Sequence, residues 1–352
     1  MGALSQESNL PEPYSNINRS IESDNIDRIL KGASVLAGGG GGTYRGSLDN
    51  YRLYDPRKVD IVDLGSLPSD SNVVTVFGVG PADHGTQNPT QVALESVEVY
   101  ESRYAEVDAI IPGELGPSLI VEAAVVADEL GVPVVDADVA GMRAVPSIRN
   151  EILEVSDISR APVITTNGQQ LSVLEEADGQ QMEQHIRRLT DGDLWYVAGY
   201  ADTPASYMDA VPQGWFDECM RFDSCQLKRI GDGLVESVDT RQSRGHTVGR
   251  LLLQGEREIE VFFQNENLLL FVDGQRVASA PDTISLVNDT GVGITSADPP
   301  ETGEHLEAYV VRHEFWDNPD CFDLETQNIS VTDGAVKFPH GVQIDIRGRP
   351  SR

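Results

Sequence analysis

Asp136 and Asp138 stand two residues apart in the run Val134-Val135-Asp136-Ala137-Asp138, just beyond a strand-like segment. Two carboxylates so placed can ligate a divalent cation or work as a base. Arg143 follows five residues later, and Glu114 sits in Pro112-Gly113-Glu114-Leu115-Gly116, between a strand-like and a helix-like segment. Ligands of open parallel sheets lie beyond the carboxyl ends of the strands, which makes Glu114, Asp136, Asp138 and Arg143 candidates for one site. The competing reading is solvated surface, the usual fate of a carboxylate in an acidic chain.

Gly38, Gly39, Gly40, Gly41 and Gly42 form an unbroken run ahead of Thr43. The run is no P-loop, because no Gly-Lys-Ser/Thr follows, and no dinucleotide fingerprint, because in that spacing the third glycine is missing and a helix-like segment precedes it. Backbone without side chains, facing the start of the next helix, can approach an anion or a carbonyl closely. Gln264-Asn265-Glu266 interrupts two apolar runs, Phe262-Phe263 and Leu268-Leu269-Leu270, with Asp282 a hairpin further on. Polar groups drawn into a strand region require specific partners, unless they form a bulge turned to water.

The six histidines make no H-x-x-x-H or H-x-H pair, and Cys219, Cys225 and Cys321 fit neither zinc spacing nor a disulfide framework. A serine elbow of the form G-x-S-x-G is absent as well. The net charge is −31, from 26 basic against 57 acidic residues, and only four of the basic residues are lysines (Lys31, Lys58, Lys228 and Lys337). Such a field repels nucleic acid and anionic membranes. Asp enrichment with Lys depletion is the bias of proteins kept in molar KCl, where a Debye length of roughly 3 Å screens self-repulsion. No stretch is apolar enough to span a membrane and no signal peptide is visible, so a cytoplasmic location is expected.

These residues must be positioned by two kinds of structure. Residues 1–20 are expected to be flexible. A helix capped at Ser23-Asp24 should carry Ile26, Ile29, Leu30 and Ala33 inward and end at the glycines, with a second helix over Tyr44 to Tyr54. To about residue 165 strands alternate with helices (Val59 to Leu64, Val73 to Val79, Pro89 to Tyr104, Ala109 to Pro112, Ser118 to Leu130, Val132 to Val135). That alternation predicts an α/β domain, residues 21–165, with a largely parallel sheet covered on both faces. After a linking helix near Leu174 to Leu189, residues 166–350 read as a mostly β domain, with Asp273-Gly274 a hairpin turn. The fold class expected is therefore α/β plus β.

Five segments in order, LAGGGGGTYRG (36–46), GELG (113–116), VVDADVAGMRAVP (134–146), FFQNENLLLFVDGQ (262–275) and APDTISLVNDTGVGI (280–294), resemble the DUF917 family, associated with S-methyl thiohydantoin desulfurase and hydantoin metabolism. The composition makes it a haloarchaeal-type member. The sequence departs from the family pattern at Gly85 to Thr90, at Glu95, and around Asn318-Pro319-Asp320 and Phe338-Pro339-His340. The resemblance implies an α/β domain joined to a mostly β domain, and hydrolysis of a cyclic thioimidate with release of methanethiol. It also implies roles: Glu266 as base, Asp136 or Asp138 as base or metal ligand, and Gln264 and Asn265 to orient the ring. Gly38 to Gly42, Glu114, Arg143 and Asp282 would hold the substrate. A divalent metal ion is left open, and so is a homo-oligomer or a hydantoinase-type partner. The alternative is a non-catalytic subunit that binds a small cyclic amide beside a hydantoinase or oxoprolinase-type enzyme.

Overall fold

The computed structural model describes residues 19–80, 88–141, 144, 161–166, 169–177, 185–189, 195–202, 211–222, 227–243, 246–311, 324, 329–332 and 334–347. The expectation of a flexible N-terminus falls on residues 1–18, outside that set. So do Arg143, the departures at 85–87 and those at 318–320.

The first sheet has eight strands. They are β1 (Ser20–Ile21), β2 (Val59–Val62), β3 (Val73–Val79), β4 (Ala109–Pro112), β5 (Val134–Val135), β6 (Ala161–Thr166), β7 (Leu171–Ala177) and β8 (Trp195–Asp202), in the order β1-β2-β5-β4-β3-β8-β6-β7. The centre, β2-β5-β4-β3, is parallel, and both flanks are antiparallel. Four long helices accompany it: α1 (Ile26–Leu36), α2 (Tyr44–Tyr54), α3 (Pro89–Arg103) and α4 (Pro117–Leu130). A short α5 (Trp215–Met220) packs its buried Trp215, Phe216 and Cys219 with α1.

The helices gather on one face, where Val74, Val76, Ile110 and Val134 meet the apolar sides of α1, α3 and α4. The expected cover on both faces is present, with the long helices on one face and residues 185–189, helical around Ile186, on the other. The topology explains the difference: β3, α3, β4, α4 and β5 step along the sheet in one direction, and right-handed crossovers taken in one direction put their helices on the same side. Phe77, Val79, Ile111 and Val135 on the other face are closed over by Leu64, Ile186 and Val211. The expected linking helix at Leu174 to Leu189 begins instead as β7, and the first sheet draws on chain as far as Asp202.

The second sheet is antiparallel. Its strands are β9 (Lys228–Ser243), β10 (His246–Gln254), β11 (Glu258–Gln264), β12 (Glu266–Val272), β13 (Gln275–Ser279), β14 (Thr283–Asn288) and β15 (His305–Val311), in the order β13-β12-β11-β10-β9-β15-β14. It curls far enough for β12 to meet β14, where Asn267 Nδ2 donates to the carbonyl of Ile284 at 3.0 Å. Inside the curl lie Leu251, Val261, Phe263, Leu270, Ile284 and Leu306. Outside it, Phe262, Leu269 and Phe271 pack on a three-stranded sheet of β16 (Ser330–Val331), β17 (Ala335–Lys337) and β18 (Gln343–Asp345). The Asp273-Gly274 turn joins β12 and β13, with φ of 49° and 71°, the left-handed pair a tight hairpin needs.

Candidate functional site at the domain junction

α1 ends at Leu36 because the five glycines that follow are used as a seam. Its N-cap is Asn25, one position beyond the expected Ser23-Asp24, and Asn25 bonds back to Glu22 and Ser20. At the other end the carbonyls of α1 and the glycine run are taken in turn by distant chain. The carbonyl of Val35 accepts from the Ser285 hydroxyl, that of Ala37 from Ala144 N–H (3.2 Å), and that of Gly38 from Asn267 N–H (2.7 Å). Gly39 accepts from Ser296 N–H (2.9 Å) and Gly41 from Ser118 N–H (2.9 Å).

These contacts require glycine. A Cβ on Gly39 would lie 2.7 Å from Asn267 Nδ2, one on Gly41 2.5 Å from the Gly116 Cα, and one on Gly42 2.3 Å from Ser118 Oγ. Gly38, Gly39, Gly41 and Gly42 also have positive φ. Gly40 differs: its φ is ordinary, and the three atoms nearest to a Cβ there all belong to Glu266, with Oε1 at 2.1 Å. The run thus presses on protein along its length, and its middle residue faces a carboxylate.

Glu266 is 3% exposed and opens β12, every residue of which is buried. Gln264, 2% exposed, pairs with Glu266 across a one-residue turn, and its Oε1 has no hydrogen-bond partner among the described residues. Asn265 forms the turn itself at φ 59°. Its side chain accepts from Thr247 N–H at 2.8 Å while its own N–H donates to the Thr247 carbonyl at 2.7 Å, which locks the hairpin tip onto β10. Thr283, against Gly38, and Thr295, beside the residue that binds Gly39, are also buried with hydroxyls unpartnered among the described residues. Buried polar atoms without partners are uncommon enough to mark a place where a polar ligand or water belongs.

Glu114 is half-buried in the β4–α4 connection, whose Gly116 packs on Gly41. Asp282 is half-buried ahead of Thr283, with its N–H on the Ser279 carbonyl. Asp138 is fully buried in the segment that carries Ala140 into the apolar cluster of Val248, Phe262 and Leu268.

Asp136 goes elsewhere. Its Oδ1 accepts from Phe216 N–H at 2.8 Å, at the start of α5, and its Oδ2 pairs with Arg19 Nη1 at 2.6 Å. Arg19 is shared with Asp63 at 2.5 Å, and the Asp136 carbonyl accepts from Gly214 N–H at 2.8 Å. Both oxygens of this carboxylate are therefore engaged in holding α5 and β1 to β5. Burial pushes its pKa up to about 6, and the Phe216 N–H and Arg19 oppose the rise without cancelling it. Among the described residues no three His, Cys, Asp or Glu side chains come together as a metal cluster.

Sequence reading gave no role to Asn267, which ties β12 to Gly38 through its backbone and to β14 through its side chain. An amide within an otherwise apolar run was the available signal. Arg19 and Thr295 carried none.

An α/β domain whose first helix ends in a glycine seam against a curled antiparallel sheet, with a buried carboxylate on the seam, defines a two-domain protein with a polar centre at the junction. Residues 24–177 match the family description "S-Me-THD-like, N-terminal domain" and residues 150–316 match "S-Me-THD-like, C-terminal domain", so the chain belongs to the S-Me-THD-like (DUF917) family. The crystal structure of a protein from Chromobacterium violaceum is similar in fold, with a TM-score of 0.60 at 22% identity, covering 83% of this chain and 91% of that one. A search of curated proteins gives no match. Among the described residues, no helix is long and apolar enough to cross a membrane.

Proposed function

We propose that the chain hydrolyses a small cyclic thioimidate of the S-methyl thiohydantoin kind. Water adds to the ring carbon that bears the methylthio group, the C–S bond breaks, and methanethiol leaves as the carbon becomes a carbonyl. Glu266 takes one proton from the attacking water and returns it to the departing sulfur, while the electrons of the C=N bond pass to the ring nitrogen, which takes the second water proton. The observation that carries this reading is the placement of Glu266: a carboxylate 3% exposed, backed by Gly40, at the seam where the family's motifs meet. Gln264, with its unpartnered Oε1, supplies an acceptor for a ring N–H. Asp136 has no part in the reaction; Asp138 and Glu114 are the candidate acidic groups from the α/β half. The charge of −31, the four lysines and the three cysteines support a salt-rich cytoplasm as the setting.

One observation favours the second reading, a non-catalytic subunit that binds a cyclic amide: Glu266 is shut off from solvent rather than lining an open cleft. Assay of methanethiol release from S-methyl thiohydantoins in molar KCl separates the two. On the hydrolytic reading the wild type turns over, and Glu266→Gln, which keeps the shape but not the basicity, falls about 10²-fold or more with binding retained. Wild-type rates in the Gln variant would remove Glu266 as base. Binding of cyclic amides without turnover in the wild type would establish the second reading.

A further inference from the structure

On the outer side of the glycine seam, a cavity of about 680 Å³ lies between the start of α2 and the β14–β15 connection. Its size is within the usual range of small-molecule sites, roughly 300–1,000 Å³. Thr43, Tyr44 and Arg45 line it from α2; Asp298, Glu301 and Glu304 line it from the β14–β15 connection. Glu266 is not among its lining residues, whereas Thr295, at the edge of the junction centre, is.

The two walls carry opposite charge and do not use it on each other. Among the described residues, Arg45, Asp298 and Glu301 have no ion-pair partner, although all three line the same space. In a chain with 26 basic residues against 57 acidic ones, an unpaired arginine across a cavity from unpaired carboxylates is unexpected. The start of α2 adds partial positive charge on the Arg45 side, and Thr43 caps it by accepting from Gly46 N–H at 3.1 Å.

The wall from the β14–β15 connection is braced by its own turns. Asn288 Oδ1 accepts from Thr290 N–H, the Thr290 hydroxyl and Val292 N–H at 2.8–3.1 Å. Asp298 N–H donates to the Thr295 carbonyl, and Glu301 N–H to the Glu304 carboxylate. Thr295, 4% exposed, belongs to the same lining, and its hydroxyl has no partner among the described residues.

We propose that this cavity binds a small zwitterion of the α-amino acid type, its carboxylate toward Arg45 and the start of α2 and its ammonium toward Asp298 and Glu301. A simple anion would face the two carboxylates, and a simple cation would face the guanidinium and the helix start. A dipolar ligand satisfies both walls at once. With a Debye length of roughly 3 Å in molar salt, only such contact pairs would retain their strength.

The test is thermal-shift and calorimetric titration of the full chain in molar KCl with each of the twenty proteinogenic L-amino acids. The N-acetyl and methyl-ester forms of the strongest binder follow. Expected are saturable binding of at least one amino acid, a loss of tenfold or more with either capped form, and a similar loss in Arg45→Gln and in the double variant Asp298→Asn, Glu301→Gln. Arg45, Asp298 and Glu301 are exposed, so these variants should fold, and circular dichroism would check that they do. No binding by any amino acid overturns the proposal. Equal binding of a capped form, or unchanged binding in folded variants, overturns it too.

Discussion

Asp136→Asn offers a sharp test of how burial and ion pairing compete in this protein. The carboxylate is 0% exposed and holds Arg19 at 2.6 Å, yet its pKa is pushed up to about 6 from an ordinary 3.8, because loss of hydration outweighs the Phe216 N–H and the guanidinium together. For an acid, a raised folded-state pKa means that between about pH 4 and 6 the native protein keeps a proton the unfolded chain has released. The contribution of this group to stability therefore falls as pH rises through that window and is level above it, by roughly 3 kcal/mol in all. Asparagine keeps the shape and the bond from Phe216 N–H but cannot ionise. Urea unfolding of both proteins in molar KCl at intervals from pH 4 to 7 gives the difference in stability, in which the other titrating groups cancel. The wild type should lose on the order of 3 kcal/mol relative to the variant across that range. Parallel profiles, or a wild type that gains on the variant as pH rises, would refute the reasoning and show that Arg19 dominates burial.

Gly40→Ala should leave the melting temperature within a few degrees of wild type while displacing the Glu266 carboxylate, and so lower methanethiol release at least tenfold; unchanged turnover would separate Gly40 from the chemistry. Gly41→Ala, by contrast, combines φ 69° with backbone at 2.5 Å and should cost several kcal/mol in urea unfolding. Folding should depend on KCl, with circular dichroism showing loss of cooperative structure near 0.1 M and recovery toward 3 M; full stability at the low end would remove the halophilic reading. The His305 imidazole, flanked by Asp289 and Asp232 at 2.7 and 3.1 Å, is raised above its ordinary pKa, so what it contributes is present in acid and lost as pH rises past 6.5. An NMR titration midpoint at or below 6.5 would contradict that.

Much of the fold was legible because the signals were local. Apolar spacing placed α1, and the segment expected from Ser118 to Leu130 is α4, ended by Gly131 at a left-handed φ of 72°. The longest strand, β9, was missed: Lys228–Ser243 is polar with few buried positions, and only its pairing with β10 and β15 makes it a strand. The junction was legible as a set of motifs but not as an arrangement. The glycines read as room for a ligand, whereas the structure sets Thr283, Asn267, Glu266, Gly116 and Ser118 against them in order, partners that lie roughly 75 to 245 positions downstream. Asp136 and Asp138 read as a pair, yet Asp136 is claimed by Arg19 and Phe216, neither of which its neighbourhood in sequence announces.

The seam along residues 35–41 also sets the order of events in biosynthesis. This segment leaves the ribosome early, but Asn267, Ser285 and Ser296, which take its carbonyls, emerge more than 220 residues later. Until then the end of α1 has neither water-free surroundings nor its hydrogen-bond partners, so the α/β half cannot finish folding during its own synthesis. Closing contacts over such long loops is slow, since the chain entropy is lost before the contacts repay it. The protein should therefore acquire its structure only once the segment from Asn267 to Ser296 has emerged, rather than domain by domain, with the glycine run among the last segments to settle.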